Sequence, residues 1–192
     1  MANNLITLAE YKAYIGISST TQDTAITTLL PQVSALVKSI CRRTFVDYVD
    51  TTKVEISKGS PTNIIVLHET PLLLVDAVEF SYDYGANYTT LEPLVDYVVD
   101  QGSDAIELIA TPYLDYIKTN AYRITYTAGY QDLPPDLKLA VADLVHYYIR
   151  NDGAVHSQKN IGANSIQIEY ITKTQLPAHI SRVLDLHTAF YG

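Results

Sequence analysis

The chain has no tryptophan, and only one cysteine and one methionine in 192 residues. A single cysteine, Cys41, excludes an intrachain disulfide, so the fold must hold by packing alone, in a reducing compartment or in none in particular. Cys41 sits among apolar residues in a helical pattern. It reads as a small buried hydrophobe, without the polar setting that would lower its pKa for catalysis. Basic residues are scarce: 13 Lys and Arg stand against 21 Asp and Glu, a formal charge of −8. Wrapping nucleic acid needs clustered Lys and Arg, so the chain is a poor candidate for that role. A surface that nucleic acid must slide past without sticking is not excluded. No apolar stretch approaches the ~18 residues of a membrane span. The opening MANNLITLAEYK has no basic n-region or long apolar run, which predicts no signal peptide. The sequon Asn87-Tyr88-Thr89 carries no weight without a secretion signal.

What is abundant is tyrosine, 16 residues against three Phe, in a chain that is 47% hydrophobic. That hydrophobic share argues against disorder. Tyrosine combines apolar area with a polar tip, which suits half-buried sheets and protein interfaces alike.

The pattern along the chain alternates between two textures. Residues 7–16 predict a short helix, with Thr7 and Glu10 at capping-box spacing and Gly16 as its stop. A longer helix follows over 21–43. Ile26, Leu29, Leu30, Val33, Val37 and Ile40 lie on one face, and Pro31 predicts a kink or break. From 52 to 128 the texture is β. TTKVEIS, NIIVL, LLLVDAVEFSYD, a hairpin of LVDYVVD and AIELI across Gln-Gly-Ser-Asp, and YRITYTAG all read as strands; TPYLDYIKTN is an unassigned connection. Pro134 and Pro135 then open a helix over 134–151 whose stripe is Leu137, Val141, Leu144, Val145 and Tyr148. Residues 154–164 read as a mobile loop and SIQIEYIT as one more strand. A last helix begins at Pro177. The predicted class is α+β: a bundle of about four helices with an inserted antiparallel sheet or sandwich and a C-terminal strand-helix extension. The predicted division is a core over 1–153 and an extension over 154–192.

Motifs of catalysis are missing. None of His68, His146, His156, His179 and His187 belongs to a close-spaced ligand set, and His179 and His187, two turns apart, lack a third partner. There is no GxSxG, P-loop or GxGxxG. Asp47 with Asp50, or Asp76 with Glu79, could pair as acid and base, but carboxylates on exposed strands and loops are ordinarily solvated. No catalytic residue, metal site or cofactor is predicted.

Five segments in order carry a resemblance. LITLAEYKAYIGI with the helix ending ICRRTF, then HETPLLLVDAVEF, VDYVVDQGSDAIEL, RITYTAGYQDLPPDLKLAVADLVHYYIRN and SIQIEYITKTQLPAHISRVLDLHTAFY together resemble the head-tail connector (head-completion or adaptor) proteins of tailed bacteriophages. The likeness spans nearly the whole chain. It departs in a long insertion over 80–120 and in ending HTAFYG where an Arg often follows the aromatic. The resemblance implies a structural virion protein of the neck, made in the host cytoplasm. Such a protein forms a ring, commonly dodecameric, under the portal. It extends the DNA channel and docks the tail or a head-closure protein, and DNA passes without specific binding and without any membrane. In that family C-terminal segments engage the portal, which implies Leu176, Ile180, Val183, Leu184, His187, Phe190 and Tyr191 as portal-binding residues, on an extension that orders only on the portal. The alternatives are a head-closure or tail-terminator protein of the same region, which have fewer helices, and a glycan-binding β module, which needs a Tyr-rich groove on one sheet.

Overall fold

The computed structural model describes residues 3–59, 62–109, 119–150 and 176–189. It has the expected mixed α+β character, with four helices and two antiparallel sheets among the described residues. The described residues fall into two compact units, those within 42–133 and those within 3–41 and 134–189. The predicted strand at 165–172, the predicted loop at 154–164 and most of the connection at 111–120 lie outside the described residues.

The helical unit holds α1 (Leu8–Ile15), α2 (Asp23–Cys41), α3 (Pro135–Arg150) and α4 (Ala178–Leu186). α1 begins with the capping box read from the sequence. The Thr7 hydroxyl accepts from the Glu10 N–H, and the Glu10 carboxylate accepts from the Thr7 N–H. Gly16 ends it at φ 69, in the left-handed region. α2 runs unbroken through Pro31, contrary to a break there. The proline deprives the Thr27 carbonyl of its helical partner. Thr27 and Pro31 both lie on the exposed side, where solvent can reach that carbonyl. The opposite side, with Ile26, Leu30, Val33, Val37 and Cys41, is buried. It packs with Leu137, Val141, Leu144 and Val145 of α3 and with Ile180 and Leu184 of α4. Ser34, the buried polar residue of this stripe, accepts the Leu5 N–H at 3.0 Å.

α2 is also long and apolar enough, at a mean hydropathy of 1.2, to meet the length and composition of a bilayer span. The sequence reading did not expect that. Its buried stripe accounts for part of this apolarity as ordinary protein core.

The β unit holds a four-stranded antiparallel sheet, ordered β1 (Lys53–Ser57), β7 (Tyr122–Ala128), β3 (Leu72–Phe80), β4 (Thr89–Thr90). A three-stranded sheet is ordered β2 (Ile64–Val66), β6 (Ala105–Leu108), β5 (Tyr97–Asp100). β5 and β6 are the predicted hairpin. Asp100 holds its turn by accepting from the Gly102 N–H and the Ser103 hydroxyl, at 2.9 and 2.6 Å. Side chains of both sheets share one core, including Ile65, Val78, Phe80, Tyr97, Ile106, Tyr122, Ile124 and Tyr126. β7 alternates strictly, with its even-numbered residues inside. β1 is inverted: Glu55 points into the core while Val54 and Ile56 are exposed.

Gly129 follows β7 at φ +117. A Cβ there would lie 2.3 Å from the Phe45 carbonyl oxygen, which accepts the Tyr130 N–H at 2.7 Å. The Gly129 N–H itself donates to Pro71 at 2.8 Å. The glycine is therefore required both by backbone conformation and by close chain approach.

Candidate functional site

The densest polar cluster lies inside the β unit, around the inward Glu55. Glu55 and Glu69 are both buried. The Tyr126 hydroxyl donates to Glu55 Oε2 at 2.6 Å and accepts from the Glu69 N–H at 3.2 Å. Burial, and then the neighbouring Glu55, push the Tyr126 hydroxyl pKa strongly up, so it remains a donor. His68 gives its backbone N–H to Glu55 at 3.3 Å, and its Nδ1 bonds the other carboxylate oxygen. Glu69 Oε2 accepts from the N–H and hydroxyl of Thr44 at 2.9 and 3.2 Å. Lys53 Nζ lies 3.5 Å from Glu69 and 3.7 Å from Glu55. Buried charges persist only when paired and hydrogen-bonded. Here the chain's own groups meet all four carboxylate oxygens. The cluster fastens β1, β7 and the Thr44 turn, and its carboxylates are committed to internal donors.

Of the acids weighed from the sequence, Glu79 is engaged by a base rather than by a second acid. Glu79 is held by the Arg123 guanidinium through two bonds of 2.6 Å, which lowers its pKa, and Arg123 also stacks 4.3 Å from the Tyr88 ring. Asp76, on the same strand, is exposed. The paired histidines do not converge. His179 faces Asp143 at 3.6 Å and His187 faces Asp136 at 2.8 Å. Among the described residues no group of three His, Cys, Asp or Glu is placed to hold a metal. Among the described residues the exposed tyrosines of the β unit, Tyr82 and Tyr84, stand on the loop after β3, not on a sheet face.

The predicted partner-binding residues of the C-terminal helix separate into two sets. Ile180 and Leu184 are fully buried within the helical unit, against α2 and α3. The Cys41 thiol donates to the Leu184 carbonyl at 3.6 Å, and the Ala189 N–H donates to the Cys41 carbonyl at 2.9 Å. His187 is half-buried and engaged with Asp136, whose pKa it lowers. Over its described residues α4 is thus packed against α2 and α3 within its unit. Leu176 and Val183 are partly exposed, and Phe190 and Tyr191 lie outside the described residues. The sequence reading passed over Leu186, which is 74% exposed at the end of α4. It falls off the apolar stripe, and that is the signal: a large apolar residue on the polar side of a helix.

Comparison with known proteins gives concordant matches. A chain from the neck of an empty GTA particle computed with C6 symmetry superposes at a TM-score of 0.59 and 17% identity, covering 100% of this chain and 97% of that one. One from the neck of a native GTA particle computed with C12 symmetry gives 0.58 and 17%, over 100% and 97%. One from the virion of a native gene transfer agent particle gives 0.58 and 14%, over 98% and 91%. At such identities these are likenesses of fold. No curated protein matches the chain. The family model described as "Head completion protein" matches residues 4–190, and the chain belongs to that family.

Proposed function

We propose that this protein is a structural, non-enzymatic component of the neck of a tailed-phage-like virion. In this reading it assembles as a closed ring of twelve copies beneath the portal, prolongs the DNA channel and presents a docking surface to the tail or a head-closure protein. The observation that carries the reading is the family match over residues 4–190, in a chain whose whole length superposes on neck proteins from particles computed with sixfold and twelvefold symmetry. The charge agrees with it. A ring of subunits each at −8 repels the phosphate backbone, so DNA slides through without adhering. The carboxylates of the Glu55–Tyr126–Glu69 cluster are engaged by internal donors, which supports a structural role for them.

Within this reading Ile180 and Leu184 hold α4 on its unit. The described groups left to meet the portal are Leu176, Val183 and His187 at its edge, with Leu186 on the exposed side of the helix; Phe190 and Tyr191, outside the described residues, complete the proposed set. Removing residues 176–192 is therefore a poor test, because it strips two buried side chains from the helical core. The sharper variant is Phe190→Ala with Tyr191→Ala. Native mass spectrometry of the chain mixed with purified portal rings should show a complex with twelve added copies, weakened at least tenfold by the double variant. Undiminished binding by the variant would remove the C-terminus from the portal contact. A wild-type chain that never binds portal would remove the function.

A further inference from the structure

The helical unit carries two grooves that its own core leaves open. The first lies along α2 where it meets the end of α3. It is lined by Thr21, Ala25, Thr28, Leu29, Gln32 and Tyr148, has a volume of about 610 Å³, and continues past Leu36 through a further 220 Å³. The second lies between α1 and α3. It holds about 280 Å³ lined by Ile6, Tyr14, Pro135, Leu139 and Ala142, and its rim is the Glu10–Lys138 ion pair at 2.9 Å. Tyr14 and Leu139 are 46% and 48% exposed there.

Two properties identify what fits the α2 groove. First, α2 leaves a broad exposed side, with only 33% of its most apolar window buried, and that side carries small and uncharged residues, among them Thr24, Ala25, Thr28 and Gln32. Second, no residue from Thr24 to Val37 is charged, in a chain that carries −8. Copies of one acidic protein repel, and the surface on which they meet at least cost is the one without charge. The grooves also differ in kind and direction. Leu139 and Tyr148 are nine residues apart on α3, which at 3.6 residues per turn is half a turn around the helix. Two unlike surfaces on opposite flanks of one helix suit a head-to-tail contact, which closes into a ring, and not a twofold contact of like with like.

We propose that the occupant of the α2 groove is a second copy of this chain, presenting its α1–α3 face, so that the helical unit is the element joining neighbours around the ring. This rests on the ring reading above and adds the faces that meet. Leu139 and Tyr14 of one copy enter the uncharged groove beside Leu29 and Tyr148 of the next, and the Glu10–Lys138 pair forms the polar rim.

The test uses the full chain carrying Thr28→Cys, Leu139→Cys, or both, assembled on purified portal rings and treated with a short bis-maleimide. Cys41 is fully buried and stays silent. On a denaturing gel the double variant should give a ladder of covalent multimers, and each single variant only monomer. Portal-bound rings without a ladder would overturn the pairing and leave the ring reading intact. A ladder or dimer from Thr28→Cys alone would overturn it in favour of a like-with-like contact. Protection of that thiol in the free monomer would show that the chain's own residues cover the groove, and would overturn it too. No ring with any variant would overturn both readings. A second variant, Ala25→Glu with Gln32→Glu, places charge on exposed positions of α2. It should weaken assembly at least tenfold with an unchanged thermal melt, and unweakened assembly would count against the contact.

Discussion

Replacing Leu184 by alanine asks whether the C-terminal helix belongs to the body of the free protein. The side chain is fully buried, and the bonds around it are made by its carbonyl, which accepts from the Cys41 thiol and from the Thr188 hydroxyl at 2.8 Å. Leu184→Ala leaves those bonds in place and removes only apolar packing. Buried Leu→Ala changes cost about 2–5 kcal/mol, from lost transfer energy and the cavity left behind. Taking about 3 kcal/mol, and about 2–4 °C of Tm per kcal/mol for a chain of 192 residues, the melting transition should fall by about 6–12 °C. Leu186→Ala, on the exposed side of the same helix, should stay within about 0.5 kcal/mol of the parent. Urea titrations followed by far-UV circular dichroism measure both. If Leu184→Ala is as stable as Leu186→Ala, α4 is not packed in the free protein, and the division of its residues into anchors and contacts fails.

Three further expectations rest on single sites. Gly129→Ala must relieve a 2.3 Å approach to the Phe45 carbonyl at a φ of +117, so it should cost about 3 kcal/mol or prevent folding of the β unit, and a melt within about 0.5 kcal/mol of the parent would contradict the close approach. Pro31→Ala restores a helical N–H at an exposed position of α2. About 3 kcal/mol of helix penalty, offset by up to about 1 kcal/mol of extra unfolded-state entropy, should leave a net gain of about 2 kcal/mol in denaturant titration, and no gain would mean that the proline costs the helix nothing. Glu10 and Asp136 have pKa values lowered by Lys138 and His187 respectively. Their contribution to the helical unit is therefore complete above the usual carboxylate range and lost as pH falls from about 5 toward 2. Asp136→Asn should flatten the acid limb of a stability–pH curve, and an identical limb would refute the pairing.

The helices were legible because their signals are local. The Thr7–Glu10 box, the Pro134–Pro135 start and the 3.6-residue stripes need no knowledge of the rest of the chain. The strands were legible as strands but not as faces. TTKVEIS alternates whichever way it turns, and only the Tyr126 hydroxyl and His68, brought from elsewhere in the chain, decide that Glu55 lies inside. The two-residue β4 exists only through its pairing with Glu79 and Phe80, so it left no pattern to read. The same limit applied to the C-terminal helix. Its apolar stripe was visible, but a stripe has the same spacing whether it meets a partner or the chain's own core. The stripe residues Ile180 and Leu184 meet the core, and the exposed Leu186 lies off the stripe. Family membership was legible because it depends on the order of several segments and not on the orientation of any one.

The measurement that bears most directly on the neck reading is electron microscopy of DNA-filled, tailless heads incubated with the purified chain. The account predicts a ring of density of this protein, coaxial with the portal and with a bore lined mainly by uncharged and acidic side chains, and heads that then accept tails. Heads that stay bare, or a ring whose bore is lined mainly by Lys and Arg, would contradict it.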